Sequence, residues 1–183
     1  RKSLNLHHGI NITDDFMDAV KKDEDYGLIS PKSKEVIRTI NARKLWQKIL
    51  ELRMQTGEPY LLFTDTVNNA MPAHQRKLGL KVTQSNLCSE ITLPTGVDHA
   101  GQDRTAVCCL SSVNAEKYLE WSKDETFIED IFRFLDNVLE DFIERAPPEM
   151  ARAVYSAKRE RSVGLGLMGF HSFLQTMNVP LES

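Results

Sequence analysis

Cysteine is scarce in this chain. There are three in 183 residues, an odd and low number that does not describe a secreted disulfide framework and fits a reducing cytoplasm. Long apolar runs are missing too: no stretch approaches the roughly 20 residues that a membrane helix needs, so no membrane partner is expected. Positive charge is not in excess. Twenty-three Lys and Arg face 26 Asp and Glu for a net charge of −3, where a general nucleic-acid binder would usually show a basic face. Metal-binding patterns are lacking as well. His7, His8, His74, His99 and His171 stand at no His-Glu-x-x-His or Cys-x-x-Cys spacing, and no metal site is expected. All five read as surface or packing residues, with adjacent His7 and His8 pointing to opposite faces of a strand. No signal peptide is visible. The chain opens on Arg1 and stops at "NVPLES" just after a helical pattern, so it reads as one segment, 1–183, of a longer protein, with no internal domain boundary.

What is present is a soluble globular composition, 41% hydrophobic and 27% charged, with helical and extended patterns mixed. Residues 3–16 read as a short strand or extended segment. "ISPKSKEVIRTINARKLWQKILELRMQTGEP" reads as one long helix, capped by Ser30 or Ser33 with Pro31 in its first turn. Ala42, Leu45, Ile49 and Leu52 mark its apolar side, and Gly57 and Pro59 stop it. "YLLFTD" is a strand candidate and residues 66–80 a loop. "KVTQSNLCSEITLP" and "TAVCCLSSVN" read as extended segments joined by the polar turn "GVDHAGQDR", able to form an antiparallel pair. Ile128, Ile131, Leu135, Val138 and Phe142 predict a helix that Pro147 and Pro148 end. Another helix follows in "EMARAVYSAKRER", and a glycine-rich stretch then leads into a last one. The fold class is α/β.

Two features invite a functional reading and earn little. Gly164-x-Gly166-x-x-Gly169 matches a dinucleotide fingerprint, but such a loop should follow an apolar strand, and here it follows "SAKRERSV". The ordinary explanation is that these glycines permit a tight turn and close backbone packing. The charged "KKDEDYG" and "KRER" stretches read as solvated loop or helix-end residues.

Asn86-x-Cys88-x-Glu90 is harder to dismiss. In an extended segment alternate side chains share a face, with roughly 6.5 to 7 Å between successive alpha carbons. A cysteine serving as core filler is the ordinary expectation. It would then have to keep an amide and a carboxylate on its own face, and a buried carboxylate without a partner is costly. A carboxylate also disfavours a thiolate beside it, and activated thiolates want a histidine or a positive field. A neutral thiol beside a base suits hydrogen-atom transfer better: the carboxylate takes a proton from a substrate hydroxyl and the amide orients that substrate.

These residues resemble a known family. "QSNLCSEITLPT" resembles the active-site finger-loop motif of the ribonucleotide reductase large (catalytic) subunit. "AVCCLSSVN" resembles the strand bearing one of that family's two redox-active cysteines, and "AKRERSVGLGLMGFHSFLQ" the glycine-containing segment downstream. The resemblance covers most of the chain. It implies a partial ten-stranded α/β barrel around a finger loop. By position, Cys88 is similar to the cysteine that becomes a thiyl radical and abstracts the 3′ hydrogen of a ribonucleotide. Glu90 corresponds to the base for the 3′-hydroxyl proton, and Asn86 to the substrate-orienting amide. Leu87 and Ser89 would lend backbone contacts. Cys108 corresponds to a redox cysteine whose pair supplies the electrons as the 2′-hydroxyl leaves as water. Cys109 would pack on the opposite face.

The resemblance also implies what lies elsewhere. The second redox cysteine is expected before residue 1, with the nucleotide effector sites. The phosphate-binding loop, relay tyrosines and shuttle cysteines are expected after residue 183. No cofactor is expected on this segment. A metal-containing small subunit would supply the radical, with adenosylcobalamin as the alternative source. Expected partners are a ribonucleotide, a diphosphate in the aerobic class, thioredoxin or glutaredoxin as reductant, and a second copy of the full-length chain. The segment alone is expected to be inactive. Two rival readings remain: another thiyl- or glycyl-radical barrel enzyme, and a non-catalytic α/β scaffold with core cysteines.

Overall fold

The computed structural model describes residues 5–183, so Ser3 and Leu4 of the expected amino-terminal extended segment lie outside it. The chain divides into two compact units, Arg1–Gly101 and Gln102–Ser183.

In the first unit a strand, β1 (Gly9–Ile12), runs into a helix that the apolar pattern does not announce, α1 (Asp14–Lys22). Thr13 makes the change: its hydroxyl accepts the Phe16 N–H at 3.3 Å. Asp14 and Asp15 fill the first turn and Lys21 and Lys22 the last, so cap and helix dipole agree. An antiparallel pair follows, β2 (Asp25–Ile29) and β3 (Val36–Asn41).

That pair corrects the expected long helix. Val36, Ile37, Thr39 and Ile40 form a β-branched run that suits a pleated strand. Helix α2 starts only at Ala42 and ends at Thr56. Asn41 caps it, accepting the Lys44 N–H at 2.9 Å. Ser30 and Ser33 do not. Ser30 closes the β2–β3 connection, its Oγ accepting the Ser33 N–H at 3.2 Å. The helical spacing begins at Ala42, where the helix itself begins. Gly57, at φ 75°, ends α2 as expected.

Strand β4 (Tyr60–Phe63) lies parallel to β1, with Gly9 opposite Tyr60 and Ile12 opposite Phe63. The stretch expected to be a loop carries two short helices, α3 (Thr64–Ala70) and α4 (Ala73–Lys77). Ile12, Phe16, Ala19, Val20 and Ala42 bury together, with Tyr26 and Trp46 packed on them. Phe16 meets the Tyr26 ring edge-on at 5.2 Å. Each large apolar side chain so buried contributes roughly 1.5–3 kcal/mol. A smaller cluster of Met71, Leu80 and Val82 anchors the start of the next segment. Residues 81–95 then run without regular secondary structure to β5 (Gly96–Val97), so of the strand expected to run into or out of a loop over 81–94 only the loop is formed. The expected polar turn is present: the Gly101 N–H donates to the Asp98 carbonyl at 3.0 Å.

The second unit holds β6 (Asp103–Arg104), β7 (Cys109–Asn114), α5 (Tyr118–Trp121), α6 (Phe127–Arg145), α7 (Ala151–Glu160), β8 (Val163–Met168) and α8 (Phe170–Thr176). Helix α6 is the one its periodicity predicts, with Leu135, Leu139 and Ile143 buried. The expected antiparallel partner of β7 is corrected: β7 runs parallel to β8, from Cys109 opposite Val163 to Asn114 opposite Met168. Parallel strands need a long crossover, and α5 to α7 supply it. The glycines fall in β8 and just after it, and they answer to packing. A Cβ on Gly164 would stand 2.4 Å from Leu110 Cδ2, and one on Gly166 2.9 Å from Ser112 Oγ. Both units are α/β, and among the described residues the strands pair two by two and close no barrel.

Candidate functional site

The Asn86–Cys88–Glu90 trio sits on a tight turn, and this corrects the premise that an extended chain aligns the three side chains. The Ser89 N–H donates to the Asn86 carbonyl at 3.1 Å, and Ser89 sits at φ 67°, a left-handed conformation uncommon outside glycine. The turn is tied across its base. The Asn86 side-chain oxygen accepts the Ile91 N–H at 3.1 Å and the Ser85 hydroxyl at 3.1 Å. The Ser85 hydroxyl also lies 2.7 Å from the Ile91 carbonyl. With its oxygen engaged twice, Asn86 keeps the two donors of its NH₂ group for another partner.

All three residues of the trio are exposed, so no buried carboxylate has to be explained. Asn86, Leu87 and Ser89 form part of the wall of a cavity of about 370 Å³, whereas Cys88 and Glu90 are not among its lining residues. The opposite wall comes from residues 7–11, Tyr60 and Leu62. A ribose-sized ligand fits such a volume.

His7 and His8 occupy this wall, and here the sequence reading needs a second correction. They precede β1 and do not point apart. His7 Nδ1 lies 2.5 Å from Glu58 Oε1, and His8 Nδ1 lies 3.8 Å from Glu58 Oε2. Glu58 is buried, so two half-exposed imidazoles share one buried carboxylate at the edge of the cavity. Sequence reasoning missed Glu58 because it stands 51 residues from His7. Among the described residues no group of three or more His, Cys, Asp or Glu side chains is arranged to hold a metal ion.

In the second unit Cys108 is exposed immediately before β7. Cys109 opens the strand and turns its thiol onto α6, 3.5 Å from the Leu135 carbonyl. Cys109 thus packs its thiol inside the unit, whereas Cys108 is exposed. Three of the four "KRER" residues make contacts within the unit. Arg159 lies over the Tyr155 ring at 5.6 Å. Glu160 meets the buried Arg104 at 2.5 Å. Arg161 bonds Glu140 and Asp136, and the hydrogen bonds it donates to these two carboxylates hold its guanidinium above its ordinary pKa.

The family model described as "Ribonucleotide reductase, barrel domain" matches residues 1–183. A protein of Frog virus 3 (isolate Goorha), provisionally named a ribonucleoside-diphosphate reductase large subunit, is 53% identical over 187 residues, covering 100% of this chain and 32% of the relative. The ribonucleoside-diphosphate reductase large subunit of Invertebrate iridescent virus 3 is 48% identical over 158 residues, covering 86% of this chain and 24% of its own. In solved structures, the alpha subunit of the Actinobacillus ureae class Id ribonucleotide reductase superposes with a TM-score of 0.74 at 35% identity, covering 97% of this chain and 30% of that one. The chain thus spans a third or less of the length of these curated relatives. With its α/β units of ribonucleotide reductase type, the chain belongs to the ribonucleotide reductase family and corresponds to its barrel domain.

Proposed function

We propose that this chain is a segment of the catalytic barrel of a ribonucleoside-diphosphate reductase, and that the 84–91 loop is its finger loop. The observation that carries the reading is the cross-tied turn, which presents an exposed thiol between an amide with free donors and a carboxylate. Cys88, as a thiyl radical, takes the 3′ hydrogen of a ribonucleotide, forming an S–H bond and a substrate radical. Glu90 accepts the 3′-hydroxyl proton, and the Asn86 NH₂ group orients the sugar. Leu87 and Ser89 complete the contact surface. The 2′-hydroxyl takes a proton and leaves as water. Cys108 and a second cysteine outside these residues supply two electrons and close to a disulfide. Cys88 then returns its hydrogen to C3′ and is a radical again.

The family names support a diphosphate as substrate. The radical comes from a metal-containing small subunit, and thioredoxin or glutaredoxin reopens the disulfide. The full-length chain works as a homodimer, with nucleotide effectors bound outside this segment. Among the described residues no helix is long and apolar enough to cross a membrane, and a cytoplasmic location suits three cysteines that form no disulfide with one another. The reading is tested by Cys88→Ser in the full-length enzyme with its radical-generating subunit. Turnover should vanish while nucleotide binding persists; retained turnover would overturn the radical role.

A further inference from the structure

The backbone that leads into the 84–91 loop is not part of any sheet, yet its polar groups are engaged. Buried peptide groups without partners are costly, and side chains supply the partners here. The Val82 N–H donates to Asn68 Oδ1 at 2.9 Å, and Asn68 Nδ2 returns a bond to the Val82 carbonyl at 2.9 Å. One carboxamide therefore engages both polar groups of one residue, as a neighbouring strand would. Its own orientation is set by a further bond from Nδ2 to the Thr64 carbonyl at 2.8 Å within α3. One position on, the Thr83 N–H donates to Thr95 Oγ1 at 3.0 Å, and Asn11 Nδ2 donates to the Thr83 carbonyl at 2.8 Å. The Thr95 N–H closes the stem on the Lys81 carbonyl at 2.9 Å.

The two limbs of the loop are thus clamped to each other by Thr95, and to α3 and β1 by Asn68 and Asn11. Above the clamp, the bonds among Ser85, Asn86, Ser89 and Ile91 carry the constraint to the tip. Asn68 is the member that joins this frame to a helix. Val82 is itself buried with Met71 and Leu80, so the stem cannot shift sideways without breaking either the apolar contact or the paired bonds.

We propose that Asn68 is a positioning residue that holds the incoming limb of the 84–91 loop and thereby aims Cys88. The inference rests on the radical role given to Cys88 above. Asn68 touches no substrate; it acts through the loop. A reacting atom misplaced by about 1 Å can cost on the order of 100-fold in rate, so a clamp at the stem is where such an error would be prevented.

The test uses the full-length enzyme with its radical-generating subunit. Asn68→Asp keeps the shape and the acceptor for Val82 N–H but removes both donor bonds, and Asn68→Ala removes all three. Turnover should fall by about 10- to 100-fold with KM for the ribonucleotide within about twofold, the split expected when an interaction made only on the way to the transition state is lost. Amide hydrogen exchange of residues 82–91 should quicken while that of α1 and α2 is unchanged, and this readout is independent of activity. If Asn68→Ala fails to fold, Asn68→Asp and Thr95→Val, which removes the clamp from the outgoing limb, give the same two readouts. Wild-type turnover together with unchanged exchange in the folded variants would overturn the inference. A Cys88→Ser control separates the two readings. If it turns over normally, the radical assignment fails. If it is inactive while the Asn68 variants behave as wild type, only the positioning role fails.

Discussion

The Asn86 carboxamide oxygen and the Ile91 N–H meet at 3.1 Å across the base of a turn, and this one bond divides the amide between two tasks. Its oxygen shapes the loop, and its nitrogen is left for the substrate proposed above. The two tasks can be separated by substitution. Asn86→Asp keeps an acceptor for Ile91 and loses the donors, so the loop should persist while ribonucleotide binding weakens. Loop amide exchange should stay near wild type as KM rises. Asn86→Ala removes both tasks, and the loop should also loosen, at about 1 kcal/mol for each of the two bonds lost from the oxygen. Equal exchange rates in the two variants would show that the oxygen does not shape the turn.

Glu90 is exposed one residue beyond the left-handed Ser89. As the proton acceptor of the proposed reaction it should be far more sensitive than its surface position implies. Glu90→Gln preserves size and removes basicity. Turnover is expected to drop by about 10²- to 10⁴-fold, the usual worth of a general base, with thermal stability unchanged because no described structural bond depends on it. A Glu90→Gln enzyme within twofold of wild type would remove the carboxylate from the mechanism.

How much of this was legible in the sequence depends on how local each cause is. Helix α6 was readable because Ile128, Ile131, Leu135, Val138 and Phe142 repeat at helical spacing, although the residues it buries are Leu135, Leu139 and Ile143. The start of α2 was misread because a β-branched run lies directly before a true helical spacing and no glycine or proline separates them. The trio was noticed for its chemistry, while its geometry was misjudged. Alternate spacing implies a shared face only in an extended chain, and the left-handed Ser89 and the Asn68 clamp, 14 residues from Val82, are tertiary features. The pairing of His7 and His8 with Glu58 is more distant still. The parallel β7–β8 pair was missed for a related reason. Two extended segments near in sequence suggest a hairpin, and only the crossover through α5 to α7 reveals the true partner.

The glycines of the second unit offer a stability test of the packing explanation. Gly169 stands at φ 68°, and a Cβ there would meet Asn114 Oδ1 at 2.4 Å. That oxygen already accepts the Glu116 N–H at 3.0 Å. Gly169→Ala therefore combines a disfavoured backbone with a displaced Asn114–Glu116 bond and should cost about 1–3 kcal/mol. Gly164→Ala meets only the end of the Leu110 side chain, which can rotate away, and should cost less. Urea unfolding of the two variants decides the order. A nucleotide-binding role would instead show as lost nucleotide affinity in Gly164→Ala at unchanged stability.

Arg104 and Glu160 form an ion pair with little solvent access, their side chains 4% and 13% exposed and 2.5 Å apart. The Tyr155 ring lies under the guanidinium at 5.5 Å. Such a pair is expensive to assemble, since both ions leave water, and more expensive to break, since the remaining charge stays buried. Glu160→Gln should destabilise the protein, because it removes a counter-charge from a buried guanidinium. Replacing both partners, Arg104→Met with Glu160→Leu, should cost less than the single change, because neither member of the pair then stays buried without the other. Tm and urea midpoints of the single and double variants measure the difference. A double variant less stable than Glu160→Gln would mean that the pair, with its contact to Tyr155, contributes net stability that apolar packing of similar volume does not replace.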